Sequence, residues 1–391
     1  MKEKSRMCGA GKSRACAAAL AALLVAAPLT GCSKGGGGGD TIKIGGLAPL
    51  TGNVSVYGVA TNNGAQMAVQ AANDKGGVLG KKIQYVYYDE KGDATEAVNA
   101  YNKLVQNDEV VGLVGDVTSV PCIAVAQEAQ KDGLPMITAT GTAAAITTAG
   151  DNVFRACFTD PYQGQVMAEY SAKKLGAKTA AILYDMSDDY SSGVAEAFEK
   201  EAKAAGISVV TKQAYQHNDV DFKSQLQTIK GKSPDILFLP VYYQDVALIA
   251  VQAKQMGIKS TLMGVDGWDG VLEKIDKSNI DAVNGAYFCS QYSAESKDPA
   301  VQKFIKDYKA KYKADPNMFA VLGYDAMNIM LESIKKAGST DSGKVVDAMQ
   351  GIKFKGLTGD ITFDKDRNPV KAAAITTIRD GAYKFVEYFK K

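Results

Sequence analysis

Two successive runs of alternating strand-like and helix-like segments constrain this chain more than any other feature. In the first run, Ile42 to Leu47 is a short apolar strand. Gly64, Met67, Ala68 and Ala71 follow at helical spacing, and that segment stops at Asp74-Lys75-Gly76-Gly77. Ile83 to Tyr88 is a β-branched and aromatic strand, and Ala97, Tyr101, Leu104 and Val105 mark another helix face. Val110 to Val114 reads as a buried strand, and a further one closes at Ile137, just after Pro135. The pattern restarts after Pro161. Strands are expected at Thr179–Tyr184, Ile207–Thr211, Asp235–Leu239 and Thr261–Met263, with helices lined by Val166, Met167 and Tyr170, by Val194, Ala197, Phe198 and Ala202, by Phe222, Leu226 and Ile229, and over Val246–Met256. Alternation of this kind specifies an α/β fold, with largely parallel sheets covered by helices on both faces. Two runs imply two Rossmann-like lobes. The remainder carries helix faces at Val301, Phe304, Ile305 and Tyr308 and at Ala320, Tyr324, Met327, Leu331 and Ile334. It ends in a hairpin pattern, Ala373–Ile378 and Tyr383–Phe389 around Asp380-Gly381. This tail is too short for a third lobe, so it must complete the first two, and the chain must cross between them more than once.

The N-terminal segment addresses location. Lys2, Lys4, Arg6, Lys12 and Arg14 precede an apolar stretch from Ala17 to Leu29. That stretch is shorter than the roughly 20 residues a bilayer crossing takes, and its flanks are those of an export signal. Leu29-Thr30-Gly31-Cys32 resembles a bacterial lipobox. The resemblance implies a signal peptide over residues 1–31, cleavage before Cys32 and lipid attachment to its thiol, with residues 32–40, including Gly35 to Gly39, as a flexible tether. About 350 residues follow, enough for two domains. No later segment is long and apolar enough to cross a membrane, so the lipid is expected to be the only tether.

Composition excludes several classes of function. Lys plus Arg number 45 against 43 Asp plus Glu, and part of the basic excess lies in the leader, so there is no electrostatic case for nucleic acid. Cys8 and Cys16 belong to the leader. Cys122, Cys157 and Cys289 are far apart and form no CxxC pair, which supports neither a disulfide framework nor a zinc site. They read as small buried apolar residues. The single histidine, His217, lies in the polar stretch Gln216-His217-Asn218-Asp219, expected to be a solvated loop. No metal and no cofactor are expected.

In open α/β sheets, ligands gather beyond the carboxyl ends of the strands. After Val114 comes Gly115-Asp116-Val117-Thr118-Ser119-Val120-Pro121, where Ser119 fits an N-cap and Pro121 the first helical turn. A helix start suits an anion such as a carboxylate, although a serine there is more often only a cap. After Ile137 comes Thr138-Ala139-Thr140-Gly141-Thr142, rich in hydroxyls, which otherwise reads as a turn. The second run offers Tyr184-Asp185, Asp188-Asp189-Tyr190-Ser191-Ser192-Gly193, Pro240-Val241-Tyr242-Tyr243 and Gly264-Val265-Asp266-Gly267-Trp268. Hydroxyls and N–H groups on one lobe, with carboxylates and aromatic rings on the other, suit a zwitterion held in a cleft.

Four segments carry a family resemblance: Ile42-Lys43-Ile44-Gly45-Gly46-Leu47-Ala48-Pro49-Leu50-Thr51-Gly52, Asn73-Asp74-Lys75-Gly76-Gly77-Val78-Leu79-Gly80, Phe154-Arg155-Ala156-Cys157-Phe158-Thr159-Asp160-Pro161 and Leu262-Met263-Gly264-Val265-Asp266-Gly267. With these, the chain from about Ile42 onward resembles the leucine/isoleucine/valine-binding protein family, the receptors of branched-chain amino acid ABC transporters. The resemblance implies a type I periplasmic binding protein fold, two lobes joined by three crossovers near Asp160, Ser290 and Asn368. Lobe I would comprise residues 41–160 and 291–368, and lobe II residues 161–290 and 369–391. It implies that the ligand carboxylate meets Ser119 and Thr142, and that its ammonium meets the Thr140 carbonyl and Asp266. Tyr57, Tyr190 and Tyr242 would close over the ligand. The best-known members carry a glutamate where Asp266 stands and often a tryptophan where Tyr57 stands. The disulfide of some members cannot form, because the matching positions are Gly92 and Thr118.

The expected function is therefore capture of an aliphatic amino acid by a monomeric, extracytoplasmic lipoprotein and its delivery to an ABC transporter permease. A sensory ligand-binding module for the same ligands is the alternative. An enzyme using a nucleotide is suggested only by the Rossmann-like pattern, and the body holds no GxGxxG motif or P-loop.

Overall fold

The computed structural model describes residues 41–390; the leader, Cys32 and the glycine tether lie outside the described residues. Among the described residues, two main sheets organise the chain. The first has five parallel strands in the spatial order Lys82–Asp89, Thr41–Ala48, Leu113–Val114, Met136–Thr138 and Val153–Arg155. The second has seven, in the order Ala382–Phe389, Ala373–Arg379, Tyr287–Ser290, Thr261–Gly264, Ile236–Phe238, Thr179–Asp185 and Ser208–Tyr215. Its last five strands run parallel, and the terminal hairpin adds two antiparallel ones. The chain leaves the first sheet after Arg155, leaves the second after Ser290 and rejoins it at Ala373.

Each sheet is apolar on both faces, as parallel strands covered by helices must be. In the first, Ile42, Ile44, Val114, Ile137 and Phe154 pack against Leu322, Met327, Met330 and Ile334 of the Met318–Ala337 helix. Leu47, Leu113, Met136 and Val153 face the other way, against Ala97, Tyr101 and Val125. The Ser55–Asp74 and Met318–Ala337 helices approach closely because glycines meet carbonyls at their crossing. A Cβ on Gly64 would lie 1.9 Å from the Ala320 carbonyl oxygen, and one on Gly323 would lie 2.1 Å from that of Thr61.

Several elements differ from the sequence expectation. The regular strand expected over Val110–Val114 is confined to Leu113–Val114, although the ladder continues outward through Val111 N–H donating to the Lys43 carbonyl at 2.9 Å. The strands Val153–Arg155 and Tyr287–Ser290 and the helix Ser342–Gln350 were not expected. Arg155 masks its strand, because a guanidinium reads as a surface group whereas here it is fully buried. Ser119 is not the N-cap: Thr118 holds that position, Ser119 is the first helical residue, and its hydroxyl instead accepts from Ala143 N–H at 3.2 Å. Cys122, Cys157 and Cys289 are free and buried. His217 is largely exposed, with Nδ1 3.2 Å from an Asp185 carboxylate oxygen.

Candidate functional site

The first lobe contributes two strand-to-helix connections. The Ser119–Asp132 helix starts without a side-chain cap. Beside it, the loop after Met136–Thr138 is tied down by its own hydroxyls: Thr138 donates to the Asp116 carbonyl at 2.6 Å and accepts from Gly141 N–H at 2.8 Å, while Thr140 donates to the Val117 carbonyl at 2.8 Å. Beneath the loop, Arg155 donates to the carbonyls of Gly141 at 3.0 Å and Ala143 at 2.8 Å, the residues on either side of Thr142. The loop is thus held from below by a fixed cation, a role for Arg155 that its charge hid in the sequence.

The second lobe contributes Asp266, the start of a short 3-10 turn after the Thr261–Gly264 strand. Its carboxylate accepts from the Tyr190 hydroxyl at 3.0 Å, and that hydroxyl accepts from Gly267 N–H at 3.0 Å. Its backbone N–H donates to the Gln163 amide oxygen at 3.1 Å. Burial pushes the Asp266 carboxyl up to about 6, against the pull of Gln163, Tyr190, the Gly267 amide and Gln291. Tyr190 stacks on Tyr242 with ring centroids 4.8 Å apart, and Tyr242 meets Tyr57 edge-on at 5.8 Å. Burial raises all three phenols well above their ordinary value, so they remain neutral donors at physiological pH.

Tyr57 links the lobes directly. It sits on the Ser55–Asp74 helix of the first lobe, donates to the Gly267 carbonyl at 2.5 Å and accepts from Tyr243 N–H at 3.1 Å. Tyr243 returns the contact by donating to the Asn53 carbonyl at 2.7 Å. Phe319, which sequence reasoning missed, stacks on Tyr57 at 4.0 Å. Gln163 and Gln291, also missed, are buried beside Asp266, and their side-chain amides help hold its carboxyl ionised. Nothing in their sequence context distinguishes them from surface amides.

Ser119, Thr140, Thr142, Tyr57, Tyr190 and Asp266 are buried and Tyr242 is half-buried, and a short series of residues runs from one lobe's contribution toward the other's. Ser119 touches the loop of Thr142, the Thr142 carbonyl accepts from Asp160 N–H at 3.0 Å, and Asp160 lies within electrostatic reach of Asp266. Among the described residues, no group of three or more His, Cys, Asp or Glu side chains is arranged to hold a metal ion.

Two parallel-sheet lobes, crossed repeatedly by the chain and meeting over a polar and aromatic seam, define a type I periplasmic binding protein. The family described as periplasmic binding protein matches residues 41–382, and this chain belongs to it. The family is one of binding proteins rather than enzymes, and it works outside the cytoplasm. Among its relatives, the leucine-, isoleucine-, valine-, threonine- and alanine-binding protein of Pseudomonas aeruginosa is 31% identical over 351 residues, covering 88% of this chain and 92% of the relative. A leucine-binding protein LivK from Thermotoga maritima superposes with a TM-score of 0.83 at 31% identity, covering 89% of this chain and 98% of the other. The branched-chain amino acid transporter substrate-binding protein LivJ from Streptococcus pneumoniae, solved with isoleucine, gives 0.82 at 33% identity, covering 88% and 99%.

Proposed function

We propose that this protein captures an aliphatic, branched-chain amino acid between its lobes and presents it to the permease of an ABC transporter. The observation that carries the reading is the pairing of a buried, hydrogen-bonded carboxylate on one lobe with a hydroxyl-rich helix start and loop on the other. Burying a zwitterion is favourable only when each charge finds aligned partners. Ser119, Thr142 and the uncapped helix start would take the ligand carboxylate. Asp266 and the Thr140 carbonyl would take its ammonium, and Tyr57, Tyr190 and Tyr242 would enclose the side chain. The similarity to proteins that bind leucine, isoleucine and valine supports this ligand class.

The lobes in this reading are residues 41–160 with 291–368 and residues 161–290 with 369–391. Cleavage before Cys32 and lipidation of its thiol would anchor the monomeric receptor at the outer face of a bacterial membrane. Loss of labelled palmitate incorporation in Cys32→Ala tests the anchor. A thermal-shift screen against the common amino acids tests the ligand. Leucine, isoleucine or valine at 100 times its dissociation constant adds about 2.7 kcal/mol of stability. A screen in which no aliphatic amino acid raises the melting temperature overturns the reading.

A further inference from the structure

We propose that Asp160 is a second acid of the binding cleft, receiving the ligand ammonium together with Asp266. The proposal rests on the amino acid reading above and extends it to a residue at the first crossover. Asp160 is 1% exposed, and the Thr142 hydroxyl is the one side chain within hydrogen-bonding reach of its carboxyl, too far off ideal geometry to fill either oxygen's acceptor capacity. Its position at the start of the Asp160–Lys173 helix does not account for it as a cap. Thr159 holds the cap position, and its hydroxyl accepts from Tyr162 N–H at 3.3 Å. A carboxylate kept out of water with one weak hydroxyl partner is costly unless something else satisfies it.

Its surroundings indicate what that partner is. The Asp160 N–H is bonded to the Thr142 carbonyl, which fixes the side chain next to the loop expected to hold the ligand. The charged groups facing it are Asp266, Arg155 and Asp188. A primary ammonium presents three N–H donors. The Thr140 carbonyl and Asp266 account for two, and Asp266 reaches one methylene less far than the glutamate its relatives are expected to carry. Asp160 supplies the third acceptor from the hinge side. Two acids facing one ammonium would leave an excess negative charge, and the buried Arg155 offsets it.

The test compares two ligands that differ only at the reacting end: leucine, and the hydroxy acid 2-hydroxy-4-methylpentanoate, which has the same side chain and carboxylate but no ammonium. Calorimetry on Asp160→Asn is expected to show leucine binding weakened at least tenfold and hydroxy acid binding unchanged or improved. Asp160→Ser, equally suited to a first helical turn, carries the same comparison should the asparagine variant not fold. Leucine binding within twofold of wild type overturns the proposal, and so does an equal loss for both ligands, which would mark Asp160 as structural. Wild-type protein that binds neither leucine nor any other amino acid would overturn the underlying reading instead.

Discussion

Asp266 is a buried acid, and in the proposed reading its proton competes with the ligand's ammonium. Because burial raises its pKa to about 6, the ionised form that this reading needs dominates above that pH. Leucine affinity is expected to be flat above pH 7 and to fall by up to tenfold per unit below pH 6, read by calorimetry at pH 5 and 7. Asp266→Asn is expected to cost about 2–5 kcal/mol of binding at neutral pH, since it leaves the ammonium buried and unpaired. A different acidic pair acts on stability rather than binding. Glu90 and Asp116 are fully buried side by side in the first lobe, where one carboxyl hydrogen-bonds the other. Burial, with the other acid's charge beside it, holds Glu90 far above the ordinary carboxylate range, and burial also raises Asp116. The unfolded chain releases these protons near pH 4 while the folded chain keeps them, so their contribution to stability falls as pH rises through the neutral range. Glu90→Gln is expected to flatten the decline of melting temperature between pH 5 and 9. Position after strand ends drew attention to Ser119, Thr142 and Asp266 in the sequence, and the family resemblance, not residue identity, assigned them roles. Asp160 also stood in a quoted motif, but its burial beside Asp266 is a property of packing that no sequence displays.

At the scale of elements, period and punctuation carried most of the fold. Long strands such as Thr41–Ala48 and helices such as Ser55–Asp74 write their burial into several residues each. Short elements write less: Met136–Thr138 and Ile236–Phe238 were still legible as apolar runs, whereas Val153–Arg155 and Tyr287–Ser290 escaped notice. The placement of Ser119 one position inside its helix turns on a backbone angle at Thr118 that both residues could adopt. The crossing of the Ser55–Asp74 and Met318–Ala337 helices was illegible for another reason. Gly64 and Gly323 are 259 positions apart, and only the fold sets each against the other helix's carbonyls. Gly323→Ala is expected to lose about 3 kcal/mol in urea unfolding, because the carbonyl it would strike belongs to a helix backbone that cannot move aside cheaply.

For the whole molecule, the contacts of Tyr57 matter because they exist only while the lobes are together. Ligand shifts a two-state equilibrium by its difference in affinity for the states, and contacts made only in the closed state add to that bias. Tyr57→Phe keeps the ring against Phe319 but deletes the hydrogen bonds to Gly267 and Tyr243. At about 0.5–1.5 kcal/mol each, their loss is expected to weaken leucine binding about tenfold. Small-angle scattering of the ligand-free variant should show a larger radius of gyration than wild type. The two-lobed plan was legible because strand-helix alternation ran twice. How closely the lobes meet was not, since it depends on three tyrosines and a phenylalanine drawn from four separate segments.

The three thiols inside the body bear on how such a receptor can be put to use. Each is buried and unpaired, and burial raises each pKa, that of Cys122 to about 12, so thiolate is scarce and reagents cannot reach it. A dye-bearing cysteine introduced at the exposed Met186 position would therefore be the reactive one among the described residues. If the proposed function holds, an optical amino acid sensor could be made from the described residues in reducing buffer without first removing these three cysteines.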